Sequence, residues 1–392
     1  MATYADSPFR KLRVGVVGLG RGQAGVEGFN ALPGCEIAAI CDPDAARIRR
    51  ALDSIEESFG PRPAVYTGGE EEWKRLCDDD GVDLVYNASP RELRVPVALY
   101  AMNAGRHVAT VVPAAFTVED CWRLVEASER LRRHCMQLEN SCYGEMEMLA
   151  LNLCRLGMLG ELVHAEGAYM HGLGPICWCM DVNRGDRLDY LVSLESGQFG
   201  PEPLAGSGFP AESPNAGPGV EMGDMNATLV KTKRGRSMLM RHVVDSRRPC
   251  CRINTVTGTR GVFSGCPYRV GWEKATGAGL HRFFSDVRAE KVRRMYMHPL
   301  WRQIGGLAKK TGGHGGMDFL MLLRLAYCLQ NGLPLDLNVY DLATSCSLAE
   351  LGERSARARS APMDVPDFTR GAWGATAPIG DISVNLSRIG LV

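Results

Sequence analysis

Leu12-Arg13-Val14-Gly15-Val16-Val17-Gly18-Leu19-Gly20-Arg21-Gly22-Gln23-Ala24-Gly25 is the stretch on which the fold turns. An apolar, valine-rich run ends in closely spaced glycines, and a helical pattern follows. Glycines at such a junction let the backbone turn tightly and approach a pyrophosphate, whose charge then rests at the N-terminus of the next helix. The third glycine of G-x-G-x-x-G should fall at Gln23, but Gly22 and Gly25 bracket that position, so the loop reads one residue short. A second strand pattern ends in Asp42, 24 residues after Gly18. A carboxylate there accepts a hydrogen bond from a ribose 2′-hydroxyl and repels a 2′-phosphate, which favours NAD over NADP. Gly18, Gly20, Arg21, Gly22 and Asp42 are therefore expected to bind NAD. The plainer reading is a glycine-rich turn, with Asp42 as a helix N-cap before Pro43.

Outward from this stretch, short apolar runs alternate with helical patterns. Strands are expected at Leu12–Val17, Glu36–Cys41, Ala64–Thr67, Asp83–Ser89, His107–Val112 and Cys135–Glu139. Helices are expected at Asp44–Glu57, Glu71–Asp78, Glu92–Asn103 and Thr117–Arg132, the last opened by a Thr117/Asp120 capping pair. Such alternation predicts a doubly wound parallel sheet of the Rossmann type over residues 1–140. After a helix at Met146–Leu156 the pattern changes. Glu161–Tyr169, Asn226–Lys233, Ser237–Val244, Cys251–Thr257 and Gly261–Ser264 read as strands without intervening helices. Residues 141–392 are expected to form an α+β domain on a large, mostly antiparallel open sheet, whose C-terminal segment can pack back on the first domain. Residues 200–219 hold ten Gly or Pro and read as an irregular loop, as does Trp272 to Lys310. Helices close the pattern at Met317–Gln330 and Tyr340–Ala358.

Composition narrows the function classes. In 392 residues, 45 basic side chains balance 45 acidic ones, which argues against a nucleic-acid partner. No run of 18 apolar residues suggests a membrane span, and the N-terminus has no apolar signal region. The fourteen cysteines lack regular spacing, and Cys177-x-Cys179 and Cys250-Cys251 are weak metal signals, so no metal is expected. Free thiols in that number point to a cytoplasmic location.

Several segments carry a resemblance. Gly258-Thr259-Arg260-Gly261, behind an N-terminal dinucleotide unit, resembles the Gfo/Idh/MocA superfamily. More specific are Glu139-Asn140-Ser141-Cys142-Tyr143, Gly160-Glu161-Leu162-Val163-His164, Gly167-Ala168-Tyr169-Met170-His171 and Met180-Asp181-Val182-Asn183-Arg184-Gly185-Asp186-Arg187. His298-Pro299-Leu300-Trp301, Gly312-Gly313-His314-Gly315-Gly316-Met317-Asp318 and Val365-Pro366-Asp367-Phe368-Thr369 complete the series. These look like glycoside hydrolase family 109, the NAD-dependent α-N-acetylgalactosaminidases. The resemblance implies transient oxidation of a sugar at C3, removal of the acidified C2 proton, elimination at C1, addition of water and return of the hydride. By position it implies His171 and Tyr169 as catalytic residues and Asn140 as a nicotinamide-side contact. Glu139, Tyr169, His171, Tyr296 and His314 would bind the sugar. Each has a structural alternative: a strand aromatic for Tyr169, packing on Trp301 for Tyr296, helix capping for His314. The basic run Arg288–Arg294 reads as a solvated face or dimer edge.

The chain departs from the family in four places. Its Tyr-x-His and His-Gly-Leu-Gly-Pro elements are fused in Tyr169-Met170-His171-Gly172, without the several dozen residues that usually separate them. Val111-Val112-Pro113 stands where the family has Glu-Val-Pro, and Arg91-Glu92-Leu93-Arg94 where it has Trp-x-x-His. The fourth departure is the short glycine loop. Two alternatives therefore stay open: a sugar or glycoside dehydrogenase releasing NADH, and a non-catalytic sensor or partner subunit. Half-apolar strands at Thr228–Val230 and Met238–Met240 suggest a homodimer or larger homo-oligomer.

Overall fold

A computed structural model describes residues 1–168, 172–199, 223–243, 251–272 and 282–388. The first sheet contains β1 (Leu12–Val17), β2 (Cys35–Cys41), β3 (Ala64–Tyr66), β4 (Leu84–Asn87), β5 (His107–Val111) and β6 (Cys135–Leu138). All neighbours pair in parallel, in the order β3-β2-β1-β4-β5-β6. The chain reverses direction across the sheet between β1 and β4, and ligands of such folds sit outside the strand ends at that switch point. Leu12, Val14 and Val16 are buried on one face of β1 and Gly15 and Val17 on the other, as a strand covered on both faces requires. Each such leucine or valine side chain contributes about 1.5–3 kcal/mol of hydrophobic stabilisation.

The covering helices are α1 (Leu19–Asn30), α2 (Ala45–Glu57), α3 (Glu72–Asp78), α4 (Arg94–Asn103) and α5 (Val118–Leu131). Asp44 caps α2 by accepting from Ala46 N–H at 2.8 Å, and Ile48, Ala51 and Ile55 form its buried stripe. Thr117 caps α5 by accepting from Asp120 N–H at 3.0 Å.

The second sheet contains β7 (Leu162–Ala168), β8 (Leu188–Glu195), β9 (Met225–Thr232), β10 (Ser237–Val243), β11 (Thr255–Gly258), β12 (Gly261–Gly265), β13 (Tyr268–Trp272) and β14 (Met363–Asp364). Its order is β13-β12-β11-β7-β10-β9-β8-β14, antiparallel except for the β7–β10 pair. The remaining helices are α6 (Glu145–Arg155), α7 (Leu173–Cys179), α8 (Val287–Tyr296), α9 (Pro299–Thr311), α10 (Met317–Asn331) and α11 (Val339–Arg357).

Two sequence expectations change here. The stretch from Trp272 to Lys310, read as irregular, contains α8 and α9. In α8 only Ala289 is buried, so no apolar period announces the helix; Glu290 pairs with Arg293 and Arg294 along its surface instead. β11 begins at Thr255 rather than Cys251, because Ile253 and Asn254 take left-handed backbone angles (φ 61° and 48°).

The C-terminal helices return to the first sheet. α11 packs on α5 and β6, where the Cys346 thiol donates to Gln137 Oε1 at 2.9 Å and the Tyr340 hydroxyl to Glu129 at 2.7 Å. α10 lies against α1 so closely that a Cβ on Gly28 would fall 2.4 Å from Leu322. A buried ion pair, Arg324 with Asp336 at 2.7 Å, locks α10 to the following loop, and the Tyr143 hydroxyl donates to the same carboxylate at 3.0 Å. Among the described residues, no helix is long and apolar enough to cross a membrane.

Candidate active site

The glycine loop lies at the β1/β4 switch point. Gly18 has φ 84°, and a Cβ there would sit 2.5 Å from Ala88 O, so the chain passes β4 with room for glycine alone. A Cβ on Gly22 would meet Val16 at 2.9 Å, and one on Gly25 would meet the Tyr86 ring at 2.7 Å. Those two glycines therefore carry the close helix–strand packing that Gln23 cannot. The short loop keeps the physical role of the missing third glycine. Gly20 and Arg21 are exposed on the first turn of α1.

Asp42, at the end of β2, is buried. Its Oδ2 accepts from Leu19 N–H at 2.7 Å and its Oδ1 from Asp44 N–H at 2.9 Å, while Arg47 Nη1 stands 3.6 Å away. A carboxylate has about four acceptor positions, so two remain beyond these N–H groups. The glycine cradle at Gly18 and a carboxylate beside the first turn of α1 fit the pyrophosphate and ribose of a dinucleotide.

Arg91 and Arg94 lie further along this edge, where the resemblance expects Trp and His. Arg94 donates to Pro113 O at 2.7 Å and to Ser89 O at 3.3 Å, tying the loops after β4 and β5 together. The Arg91 guanidinium stacks 3.8 Å from the centroid of Phe116. Both are engaged by the fold.

A cleft of about 330 Å³ opens next to the second sheet. The N-terminal turn of α6 (Glu145, Met146, Glu147), the 251–254 segment, the end of β12, Trp301 and the loop before α10 line it. His314 is on that last loop, where His314, Gly312, Gly313, Gly315 and Gly316 all have positive φ. The four glycines take such angles freely, whereas His314, at φ 47°, bears the cost of a left-handed backbone. His314 Nδ1 lies 2.8 Å from Asp318 Oδ2, and Asn140 Nδ2 donates to Asp318 Oδ1 at 2.5 Å. With Nδ1 holding the proton toward that carboxylate, Nε2 is left as an acceptor. Asp318 thus joins Asn140 to the cleft wall. In the sequence Asp318 is marked only by its i, i+4 spacing from His314.

Other expected site residues lie apart from this cleft. Glu139 is buried, accepts from Ser141 Oγ at 2.6 Å, and lines a separate cavity of about 20 Å³ with Gln137, Gly174 and Asp341. That volume suits one water. Tyr296 ends α8 half-buried, its carbonyl accepting from Asn152 Nδ2 at 2.7 Å. Arg293, from the basic run, reaches Glu145 at the cleft rim at 2.8 Å. Tyr169 and His171 lie outside the described residues, as do Cys250 and the 200–219 stretch.

The sheet order, the glycine loop at its switch point and the carboxylate after β2 define a dinucleotide-binding Rossmann protein with a second, mostly antiparallel sheet. Residues 12–138 match the oxidoreductase family with an NAD-binding Rossmann fold (GFO_IDH_MocA), and residues 169–375 match the C-terminal domain of glycosyl hydrolase 109. An alpha-N-acetylgalactosaminidase of Shewanella oneidensis is 40% identical over 403 residues, covering 94% of this chain and 87% of the relative. A glycosyl hydrolase family 109 protein of Shewanella baltica is 40% identical over 405 residues, covering 95% and 88%. The chain belongs to glycosyl hydrolase family 109, on the Gfo/Idh/MocA framework. Solved structures of the same fold include an oxidoreductase domain protein from Kribbella flavida (TM-score 0.70, 16% identity, 91% of this chain and 100% of that one). Levoglucosan dehydrogenase in complex with NADH gives a TM-score of 0.68 at 16% identity, covering 91% and 99%.

Proposed function

We propose that this protein is an NAD-dependent, glycosidase-like enzyme acting on a sugar or glycoside by transient oxidation at C3, C2 deprotonation and C1 elimination. The observation that carries the reading is the Asn140–Asp318–His314 chain, because it hydrogen-bonds the edge of the dinucleotide sheet to the wall of an open polar cleft. When bound, the nicotinamide supplies hydride acceptance and return at the sugar's C3. Gly18, Gly20, Arg21 and Gly22 would hold the pyrophosphate, Asp42 the ribose, and Asn140 the nicotinamide side. His171 removes the C2 proton and Tyr169 holds the sugar, as the family resemblance implies. His314, oriented by Asp318, accepts a hydrogen bond from a substrate hydroxyl through Nε2. Glu139 and Tyr296 are the further substrate-binding candidates that the resemblance implies.

The division into a cofactor domain (1–140) and a substrate domain (141–392) accompanies this reading, with the 3-10 turn Asn140–Tyr143 as the junction. A cytoplasmic location fits the free cysteines found throughout the described residues. Tyr190, Leu194 and Leu229 are exposed on one face of the second sheet, a pattern that supports a homodimer formed through that face. Light scattering that returns a monomer would count against the dimer.

The test of the function is hydrolysis of nitrophenyl N-acetyl-α-galactosaminide in heavy water with NAD present. The expected product carries deuterium at C2, with no net gain in absorbance at 340 nm. Cleavage without deuterium at C2 removes the elimination route. Steady growth at 340 nm without cleavage makes the protein a dehydrogenase.

A further inference from the structure

Thirteen cysteines fall among the described residues, and most belong to the frame. Burial pushes the Cys41, Cys77, Cys135 and Cys328 thiols up to about 12 and that of Cys346 to about 11. Two cysteines have a different setting. Cys266, just past β12, is the exposed one among the described residues, and Cys251, ahead of β11, is half-buried. Both line the 330 Å³ cleft.

The β11–β12 hairpin brings these two residues together. Thr255 pairs with Ser264, and beyond that pair Gly265 N–H donates to Asn254 O at 3.0 Å and Cys266 N–H to Ile253 O at 3.2 Å. An extended strand would carry Cys251 onward past Cys266. The left-handed angles of Ile253 and Asn254 (φ 61° and 48°) turn the chain instead. The Cys251 thiol consequently donates to the Cys266 carbonyl at 3.7 Å, and its sulfur accepts from Ile253 N–H at 3.3 Å. One thiol rests against the backbone of the other cysteine, held there by main-chain hydrogen bonds.

The segment they border ties the cleft together. Arg252 O accepts from Ala168 N–H at 2.8 Å at the end of β7. The Arg252 guanidinium lies 3.5 Å from Glu147 on α6 and donates to Met317 Sδ, at the start of α10, at 3.1 Å. A bond between Cys251 and Cys266 would clamp this segment to β12.

We propose that Cys251 and Cys266 form a reversible thiol–disulfide site in the cleft wall, whose co-reactant is a low-molecular-weight disulfide of the glutathione type. The Cys266 thiolate attacks one sulfur of that disulfide, its S–S bond breaks, and one small thiolate leaves. Cys251 then gives its proton to solvent and attacks the Cys266 sulfur, which forms the Cys251–Cys266 bond and expels the second small thiolate. Two protein thiols are oxidised, the small disulfide is reduced to two thiols, and these take up the two protons released. In a reducing compartment the bond forms only under oxidative challenge, so the site is a clamp made on demand rather than a standing cross-link. It acts whichever ligand the cleft takes.

The experiment incubates the native full-length protein with glutathione disulfide, caps the remaining thiols with iodoacetamide and maps the peptides by mass spectrometry, beside Cys251→Ser and Cys266→Ser. Wild type should give a Cys251–Cys266 cross-link that dithiothreitol reverses. Cys251→Ser should stop at the glutathione mixed disulfide on Cys266, and Cys266→Ser should give no cross-link to Cys251. The oxidised wild type should melt above the reduced form, because the bond closes a loop in the unfolded chain while joining residues the hairpin already sets together. Wild type stopping at the mixed disulfide overturns the proposal, as does a link made through Cys250 in place of Cys251. An oxidised form that melts below the reduced one overturns it too, since the bond would then strain the hairpin.

Discussion

At the edge of the first sheet, Asp42 has both carboxylate oxygens engaged by main-chain N–H groups, and Gly18 leaves no room for a side chain. At the cleft, Asn254 has neither polar atom engaged, and His314 stands half-exposed on a loop with left-handed backbone throughout. Backbone geometry builds the first site, so it is complete before any ligand arrives. Side chains build the second, where His314 lines the open cleft. The histidines divide in the same way. His107, His134 and His298 are buried in the frame, while His314 faces the cleft.

That division can be broken first by acid. Burial is the chief cause that pushes His107 down to about 4, His134 to about 3 and His298 to about 4. Each folded value lies below the ~6.5 of an unfolded histidine, so the unfolded chain takes up the proton first as pH falls. Stability present above pH ~6.5 is therefore lost on the way to pH ~4, at about 1.4 kcal/mol per pH unit for each histidine. By pH 5 the frame should lose several kcal/mol, read as a falling urea midpoint, and His134→Leu should remove about a third of that slope. A midpoint that stays flat between pH 7 and 5 contradicts this. The next largest effect is Gly18→Ala. A φ of 84° with Ala88 O at 2.5 Å from the new Cβ should cost about 3 kcal/mol in stability and abolish NAD binding by equilibrium dialysis.

Asp318→Asn sharpens the comparison from the cleft side. It keeps a polar side chain in the first turn of α10 but no longer fixes His314 as a carboxylate does. We expect kcat/KM to fall about 30-fold, with NAD affinity and melting midpoint within error of wild type. Equal activity would reduce His314 to a loop cap.

The same contrast explains what could be read from the sequence. β1, β2 and their glycine junction were legible because strand period, glycine spacing and Asp42 are all local signals. Gly22 and Gly25 sharing the third glycine's role was not, since it depends on how closely α1 meets Val16 and Tyr86. In the second half, α8 lacked an apolar period, and β11 was read too long because nothing marks Ile253 and Asn254 as left-handed. His314 was visible in its glycine setting, but Asp318 as its anchor needed the fold. Asn254 gave no signal at all. Its isolation depends on what surrounds it, and those neighbours come from residues far apart in the chain.

The smallest expected effect tests how complete the backbone-built site is. Asp42→Asn keeps one oxygen to accept from Leu19 or Asp44 N–H and turns the other acceptor into a donor, so one of those two bonds is lost. Stability should fall by about 1 kcal/mol in urea denaturation. The substitution also removes the negative charge 3.6 Å from Arg47, whose guanidinium lies over Gly20. A 2′-phosphate would then meet Arg47, still paired with Asp44 at 3.4 Å, without the Asp42 charge beside it, so the preference for NAD over NADP should shrink about tenfold in fluorescence titrations of the two dinucleotides. If NADP remains excluded as before, the steric fit of the loop enforces the discrimination, and the carboxylate serves chiefly to hold the first turn of α1.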